Sequence, residues 1–569
     1  MGLLEEALER PRHNISVTNL DSPGGTQVVP RPNGPSTPTV SSWSADGDAP
    51  SWAELMLPPA GSAEEEARFQ ELYAQLPQLW NNLQTDGQVE QTVLVVPSMS
   101  LDKEELTKLK GAPHYEERLL FLLILLALPK TRVIFVTSEP IHPHIIDYYL
   151  QLLPGIPFSH ARRRLEMFST YDSSNKSLTQ KILERPALMR RIRKAIGQAK
   201  NTHLTVFNVT PWEKQLSVAL GIPLLGPDPK HLHYGSKSGS RKLFRAAGVP
   251  MPDGYEDLKD ENEVFDCIIK LWKDHPNLKK VVIKINEGFS GEGNAIFPMD
   301  CLNGVTDEAQ ARKILEVEVP KHARYQAPGM NWNGFIAKFR EMEGIVEEFL
   351  EGDGKESPSV QLRITPLGES QLISTHDQIL GGPDGQVFIG CSFPASATYQ
   401  PPLHEAGRKI GEVLAQTGVV GRLSIDFMAI PKADGGWNMF AIEINLRKGG
   451  TTHPFRTLQF LTGGKYDPDS GTFQSGSAVP KYYFASDNLE NEKYKGLLPE
   501  DLIDIVTYTG LHYNSSSNTG VVFHMIGALS EFGKIGVTCV GDSPEEAKDL
   551  YQRTLETLDW AVTSSDWIV

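Results

Sequence analysis

Short apolar runs separated by helical stretches dominate the chain between residues 64 and 230. Runs at 93–96, 133–136 and 204–207 each lead into a loop with Pro, Ser or Thr. Apolar runs of this length are typical of strands that are buried on both faces of a parallel sheet. The pattern predicts a Rossmann-like α/β layer. No G-x-G-x-x-G sequence follows any of these runs, so a dinucleotide site is not predicted there.

Strict alternation of polar and apolar residues replaces these runs at 421–430 and 440–447, on either side of a turn at 434–436. A period of two places alternate side chains on opposite faces of a strand, so the segments are predicted to form a hairpin with one apolar face in a core. If the strands pair, Asp426 and Glu443 face the same space. The full polar face carries Arg422, Ser424 and Asp426 in the first strand, and Ala441, Glu443, Asn445 and Arg447 in the second.

The polar face of this hairpin would bring two carboxylates together, and they repel each other unless a cation lies between them. An amide oxygen and a guanidinium in the same row suit a hard divalent cation and a phosphate. Oxygen atoms bind such a metal, and the guanidinium stabilises developing negative charge. For either strand alone, a surface hairpin with solvated charges is an equal alternative. Together, the two polar faces favour metal–phosphate chemistry.

Two lysines form a second feature that points to phosphate. Residues 235–248 predict a helix, and Lys237 near its start adds an ammonium to a helix end that favours anions, although such a lysine is usually only solvated. Lys284 lies among Val and Ile in a predicted strand, where a lysine is uncommon unless an anion binds it. That strand opens into a loop whose glycines let backbone N–H groups approach phosphate oxygens: Gly288, Gly291 and Gly293.

A further strand is predicted at 344–351, before a flexible Gly-Asp-Gly-Lys turn. Between two lobes, such a segment can offer backbone groups to the edge of an adenine, and Glu347 could accept a hydrogen bond from the exocyclic amine. An ordinary half-exposed strand is an equally good interpretation of this segment taken alone.

The two ends of the chain differ from its middle. Residues 1–63 are rich in Pro, Ser, Gly, Thr and Asp and cannot bury enough apolar surface to order themselves, so they are predicted to be a disordered tail. Residues 470–569 predict a small α/β unit with two strands and a long helix that begins after Ser543. The chemistry is therefore expected between residues 231 and 465.

Length and composition set the remaining bounds. A chain of 569 residues has room for about three or four domains, and 40% hydrophobic with 22% charged residues is an ordinary globular composition. A net charge of −16 argues against nonspecific nucleic-acid binding. The four cysteines lack metal or redox spacing, no signal peptide is evident, and the apolar run at 119–128 is too short to cross a bilayer. These features predict a cytoplasmic protein without a membrane partner.

The order of these parts resembles the ATP-grasp family. The shared features are a lysine before a helix that ends in Ala-Gly-Val-Pro, a strand lysine with a glycine-rich loop, the Val-Glu-Glu-Phe-Leu segment and the later Asp…Glu-x-Asn-x-Arg. Within that family, segments 359–364, 374–378, 443–454 and 519–524 resemble the peptide ligases of pheganomycin biosynthesis and their relatives. The resemblance extends from about residue 90 to the end of the chain.

The resemblance implies a fold and an activity. The α/β fold would consist of a Rossmann-like pre-ATP-grasp domain at 64–230, an ATP-grasp core at 231–465 and a small C-terminal α/β domain at 470–569. The activity would be that of an ATP-dependent carboxylate–amine ligase. Such an enzyme joins amino acids or peptides through an acyl phosphate and releases ADP and phosphate.

The matching motifs also imply roles for single residues. Lys237 and Lys284 would hold the ATP phosphates, under a loop that contains Gly288, Ser290, Gly291 and Gly293. Glu347 and the backbone of Phe349 and Leu350 would bind adenine. Asp426, Glu443 and Asn445 would hold Mg²⁺, with Mn²⁺ as an alternative ion. Lys284 and Arg447 are the expected catalytic residues, and Arg447 would stabilise the phosphoryl group in transfer.

Two other functions fit the same sequence. One is a different ATP-grasp reaction, such as phosphorylation of a small acid without a peptide product. The other is a nucleotide-binding regulatory module without turnover, since related domains are thought to occur in animal IQ-motif proteins. The complete set of Asp426, Glu443, Asn445 and Arg447 argues against a mere binding module. The sequence leaves open the identity of the acid and the amine, and whether the chain forms homo-oligomers.

Overall fold

The computed structural model describes most of the chain after its N-terminal segment. The described residues are 58–85, 89–101, 106–107, 109–198, 200–288, 293–327, 329–382, 385 and 387–563. Most of the predicted disordered tail at 1–63 lies outside these residues, as do Ser290 and Gly291 of the predicted phosphate loop. Those parts of the interpretation stay predictions.

A parallel sheet forms the first layer of the fold. Its strands are β1 (Gln91–Val96), β2 (Thr131–Thr137), β3 (Leu165–Ser169) and β4 (Thr202–Val206), in the spatial order β3-β2-β1-β4. β1, β2 and β4 contain the apolar runs and pair in parallel, which confirms the prediction. β3, at the edge, was not predicted because its sequence Leu-Glu-Met-Phe-Ser is only partly apolar and mostly half-buried.

Helices connect the strands of this layer. They are α1 (Ala63–Tyr73), α2 (Leu76–Thr85), α3 (Pro143–Gln151), α4 (Phe158–Arg162), α5 (Leu178–Leu183), α6 (Pro186–Ile196) and α7 (Pro211–Leu220). The apolar run at 119–128 lies mostly within a 3-10 helix, Ala112–Ala127, whose residues from Tyr115 to Leu126 are buried. Among the helices of the described residues, none combines the length and the apolar character needed to cross a lipid bilayer.

The next segment builds an antiparallel sheet of its own. It begins with α8 (Lys237–Ala246), and Gly248 after that helix has a φ of +63°, which suits the predicted glycine stop. The strands are β5 (Gly254–Leu258), β6 (Lys280–Ile285), β7 (Asn294–Pro298), β8 (Arg324–Tyr325) and β9 (Gly344–Glu348), in the order β5-β9-β6-β7-β8. The helices are α9 (Glu261–Asp274), α10 (Glu308–His322) and α11 (Trp332–Met342).

A larger antiparallel sheet follows and continues to the end of the chain. Its strands are β10 (Pro358–Ile364), β11 (Ser370–Gly381), β12 (Val387–Phe393), β13 (Gly421–Pro431), β14 (Trp437–Asn445), β17 (Tyr482–Glu490), β18 (Gly520–His524) and β19 (Lys534–Gly541). Their spatial order is β14-β13-β10-β11-β12-β17-β19-β18. The small pair β15 (Lys465–Asp467) and β16 (Thr472–Gln474) lies apart. The helices are α12 (Gln400–Gln416), α13 (Thr452–Thr462), α14 (Pro499–Tyr508), α15 (Gly527–Phe532) and α16 (Pro544–Thr563).

The C-terminal segment therefore extends the sheet of the preceding segment. β12 pairs with β17, β17 with β19, and β19 with β18. The predicted boundary at 465–470 divides the sequence but not the sheet. The predicted helix start is confirmed, because Ser543 Oγ accepts a hydrogen bond from the backbone N–H of Glu546 at 3.1 Å.

Candidate active site

The predicted hairpin is formed by β13 and β14, which pair in antiparallel register. Asp426 lies directly opposite Glu443, and Ser424 lies opposite Asn445. On the reverse face, Ile425 and other apolar residues of both strands are buried in one hydrophobic core. The two carboxylates thus share a face because the strand period and the cross-strand register agree.

One detail of the predicted alternation is wrong. The register shifts after the Asp426–Glu443 pair, so that Phe427 lies opposite Ala441 and Ile442 has no partner. This is a β-bulge, which inserts one extra residue in a strand and reverses the faces beyond it. Ala441 therefore packs in the core at 1% exposure and not on the polar face, whereas Ile442 joins Glu443 in lining the cavity described below.

A chain of hydrogen bonds connects the polar groups of the hairpin. Asp426 accepts from Gln378 Nε2 at 2.6 Å and from Asn445 Nδ2 at 2.9 Å. The amide oxygen of Asn445 accepts from Arg447 Nη2 at 2.9 Å. Glu443 forms an ion pair with Lys237, which stands at the first position of α8. Four groups thus form one hydrogen-bonded chain, and Glu443 with Lys237 forms a separate ion pair beside it.

Burial and the neighbouring Glu443 raise the pKa of the Asp426 carboxyl to about 7. Burial also lowers the pKa of the Arg447 guanidinium from its usual range. A carboxylate pair of this kind is electrostatically unfavourable until a cation joins it. Carboxylate and amide oxygens are the ligands that Mg²⁺ prefers, so the donor set of Asp426, Glu443 and Asn445 fits that ion.

A second network surrounds Lys284 on β6. Its ammonium forms an ion pair with Oε1 of Glu347 on β9, and Oε2 of Glu347 lies 3.0 Å from Nη1 of Arg241 on α8. All three side chains are nearly inaccessible to solvent. Arg241 has a further partner in Glu256 at 3.2 Å. Both oxygens of Glu347 are thus occupied by cations, a contact that the sequence pattern did not predict.

The segments expected to enclose the nucleotide lie beside this network. A Cβ on Gly288 would lie 2.9 Å from Cα of Gly293, so the two ends of the phosphate loop approach too closely for a side chain. The ring of Phe349 has the ammonium groups of Lys280 and Lys355 at 5.0 and 4.5 Å from its centroid. Lys355 also donates to the carbonyl of Leu350 at 3.0 Å.

Most of the site groups predicted from the sequence line one cavity of about 710 Å³. Of the described residues that were predicted, Lys237, Gly288 and Gly293 are not among its lining residues, and Lys237 is connected to it through its ion pair with Glu443. The five-stranded sheet contributes Lys284 and Glu347, and the larger sheet contributes Asp426, Glu443 and Asn445, so the cavity lies between the two. Residues that the sequence interpretation missed also line it: Val282, Gln378, Met428 and Ile442. Gln378 lay within a motif of the family resemblance, but the three apolar residues are indistinguishable in sequence from core residues.

Another wall of the cavity comes from distant parts of the chain. Arg118 in the 3-10 helix lies with its guanidinium carbon 4.7 Å from the ring centroid of Tyr115 and 5.0 Å from that of Phe207. Its Nη1 lies 2.9 Å from Oδ2 of Asp487 on β17. Lys534 at the start of β19 donates to the hydroxyl of Tyr115 at 2.8 Å. None of these residues was singled out from the sequence.

Asp487 is also held by two histidines. Its Oδ1 lies 2.6 Å from Nε2 of His524 and 3.2 Å from Nε2 of His453, and the two nitrogens are 2.9 Å apart. The three residues are buried and could hold a metal ion by their spacing. Although burial opposes it, the imidazoles hold the pKa of Asp487 well below its usual range. Arg118 also pairs with this carboxylate, through Oδ2.

Comparison with known proteins places this site in a family. Residues 229–330 and 315–469 match the family model "IQCH-like, ATP-grasp", and residues 501–554 match the "PGM1 C-terminal domain" model. The chain is 30% identical over 439 residues to the L-propargylglycine–L-glutamate ligase of Streptantibioticus cattleyicolor, which covers 76% of this chain and 86% of that protein. This chain belongs to the ATP-grasp ligases. The resemblance and the fold class predicted from the sequence are confirmed.

Other proteins with similarity to this chain are more distant. The IQ motif-containing protein H of Danio rerio is 24% identical over 417 residues, which cover 66% of this chain and 39% of that protein. A biotin carboxylase from Campylobacter jejuni has a TM-score of 0.49 at 13% identity and covers 85% of this chain and 97% of its own. An ADP complex of N5-carboxyaminoimidazole ribonucleotide synthetase has a TM-score of 0.44 at 13% identity. The match covers 83% of this chain and 97% of that chain.

Proposed function

We propose that this ATP-grasp protein is an ATP-dependent ligase that joins the carboxylate of one amino acid or peptide to the amine of another. The observation that supports it best is the convergence of Asp426, Glu443, Asn445 and Arg447 around one cavity. Lys284 lines the same cavity, and Lys237 pairs with Glu443. Activation of a carboxylate as an acyl phosphate requires these group types, since charge develops on phosphate oxygens.

The residues of the hairpin would have separate roles in metal binding and phosphoryl transfer. Asp426 and Glu443, with the amide of Asn445, would hold Mg²⁺ or Mn²⁺, and the bound ion would neutralise charge on the ATP phosphates. Lys237 forms an ion pair with Glu443 in this structure and would help to hold the ATP phosphates. Arg447 is fixed by Asn445 at 2.9 Å, so its guanidinium would meet the transferring phosphoryl group without reorganising.

Glu347 takes a modified role in this proposal. Both of its carboxylate oxygens are engaged by Lys284 and Arg241. We therefore assign it to the positioning of Lys284 at the phosphates, and assign the adenine edge to the backbone of Phe349 and Leu350. The loop from Gly288 to Gly293 would close over the phosphates, as expected from the sequence.

The test combines two readouts in one reaction. Purified protein is mixed with Mg·ATP and pools of amino acids and short peptides, and ADP release and product mass are followed together. We expect ADP release that depends on the added substrates, with a conjugate lighter than its parts by one water. Glu443→Gln should abolish both signals, whereas Glu405→Gln, on the exposed face of α12, should not.

The other functions have distinct outcomes in the same reaction. ADP release without a condensed product would favour phosphorylation of a small acid. ATP binding without turnover across all pools would favour a regulatory nucleotide-binding module, for which the similarity to IQ motif-containing protein H is the specific observation.

A further inference from the structure

The cavity contains positive groups that the chemistry of ATP does not use. Lys534 and Arg118 both line it and are only 6% exposed. They approach the same aromatic ring, with the Lys534 ammonium 5.3 Å and the Arg118 guanidinium carbon 4.7 Å from the centroid of Tyr115. Arg118 is already paired with Asp487, whereas Lys534 contacts only the hydroxyl of Tyr115 among the described residues, so a buried positive charge stays without a balancing anion unless a ligand supplies one.

Lys534 has no carboxylate partner within 4 Å among the described residues. Glu490 lies opposite Lys534 in the β17–β19 pair, yet its carboxylate pairs with Lys110. Within the described part of the chain, the Lys534 ammonium donates one hydrogen bond, to the hydroxyl of Tyr115. Because that hydroxyl accepts from the lysine, its own proton is free to be donated to a ligand.

Arg118 is only partly satisfied as well. Nη1 pairs with Asp487, but Nε is buried and has no hydrogen-bond partner in the described structure. Nη2 has only the sulfur of Met99 as an acceptor, at 4.0 Å, so a carboxylate bound in the cavity would supply a stronger one. The His453–Asp487–His524 cluster fixes the orientation of this guanidinium, since Asp487 is held on its other oxygen by both rings.

The position of these groups relates them to the reaction. Arg118 and Arg447 share the ring of Phe207, at centroid distances of 5.0 and 5.9 Å, so their guanidinium carbons are less than 11 Å apart. An extended residue spans about 3.5 Å. A substrate of one to three residues could thus bind Arg118 at one end while its other end reaches the phosphoryl group at Arg447.

We propose that Lys534, Tyr115 and Arg118 form a subsite for a free carboxylate on the amine partner of the ligation. This inference rests on the proposed ligase function. The amine partner is then a free amino acid or a peptide with an unblocked C-terminus, and not a simple amine, an amide or an ester. The ammonium, hydroxyl and guanidinium supply charge-assisted hydrogen bonds to its oxygens.

Binding can be tested without turnover. Saturation-transfer NMR compares a mixture of common L-amino acids and dipeptides with a mixture of the matching carboxamides, in the presence of Mg·ADP. We expect transfer to members of the first mixture and at least tenfold weaker binding of the carboxamides. Lys534→Met should weaken binding of the acids about 10- to 100-fold, as expected for loss of a charge-assisted contact. Tyr115→Phe, which retains the ring, should weaken it about 3- to 10-fold.

A variant away from the cavity serves as the control for the binding experiment. Lys548→Met changes an exposed lysine on α16 and should leave the preference for acids unchanged. Equal binding of acids and carboxamides, no binding of either mixture, or an unchanged preference in both Lys534→Met and Tyr115→Phe would each overturn the subsite. ADP release in parallel samples tests the ligase separately. Selective acid binding without ADP release would reject the ligase and retain the carboxylate subsite.

Discussion

Replacement of Glu347 by Gln should destabilise the protein and weaken nucleotide binding for one common reason. The carboxylate lies between Lys284 and Arg241, all three nearly inaccessible to solvent. A glutamine can still accept from Lys284, but its NH₂ group would face the guanidinium. Breaking a buried ion pair costs about 3–5 kcal/mol. We expect the lower value, about 3 kcal/mol, because Arg241 retains Glu256 at 3.2 Å.

Two measurements check this expectation. Urea denaturation gives the unfolding free energy, with Glu261→Gln as the control because it removes an ion pair to the exposed Arg340. Calorimetry compares ATP with inosine triphosphate, which has a keto oxygen in place of the exocyclic amine. If Glu347 positions Lys284, both affinities should fall in parallel, by roughly 10- to 100-fold.

The result that would refute this reasoning is a selective one. If Glu347→Gln weakened the binding of ATP but left the binding of inosine triphosphate unchanged, the carboxylate would be accepting a hydrogen bond from the adenine amine, as first expected from the sequence. A loss of unfolding free energy below about 1 kcal/mol, the range of exposed pairs, would show that the ion pairs contribute little in the folded protein.

Three further predictions concern other parts of the molecule. Burial raises the pKa of Glu116 to about 7 from 4.5, so the folded protein holds a proton that the unfolded chain releases. This group alone should lower the stability by up to about 3 kcal/mol between pH 4.5 and 7. Urea denaturation of Glu116→Gln should show a slope that is shallower by this amount, because the contribution of Asp426, whose pKa is also raised to about 7, remains. In Gly536→Ala, the new Cβ would overlap the ring of His524; calorimetric melting should show a loss of about 1–3 kcal/mol, and an unchanged melting curve would contradict this contact. Arg447→Lys keeps a positive charge but loses the hydrogen bond that the guanidinium donates to Asn445. Single-turnover ADP formation should slow about 100- to 1,000-fold, with the affinity for ATP nearly unchanged. Loss of ATP affinity alone would contradict a role in the transfer step.

The sequence predicts well which polar groups of the hairpin meet, because these groups are local. Asp426, Glu443 and Asn445 lie on two strands joined by a short turn, so a period of two and one register determine where they meet. The β-bulge at Ile442 was not predictable, because Ile-Glu-Ile-Asn reads as continuous alternation. The bulge matters, since it turns an apolar side chain toward the cavity while Glu443 keeps its place.

Pairings between distant residues are harder to predict. Glu347 and Arg241 are separated by 106 positions, and Arg118 and Asp487 by 369. Nothing in the sequence near either partner indicates which opposite charge it will meet. The sequence identifies a polar residue in an apolar context, and the tertiary fold determines whether its partner is a ligand or another side chain.

The expectation that a lysine in an apolar strand needs an anion applies to a second residue of this chain. Lys284 was selected because a lysine among Val and Ile needs an anion, and the structure provides Glu347 as a resident one. Lys534 stands before Ile-Gly-Val-Thr-Cys-Val, and β19 is buried along its whole length, so the rule applies there equally. The difference is that Lys534 has no carboxylate partner among the described residues, whereas Lys284 has one. Lys284 is thus held in position by a resident carboxylate, whereas Lys534, which among these residues contacts only a phenol, is the lysine for which we propose an anionic ligand from outside the chain.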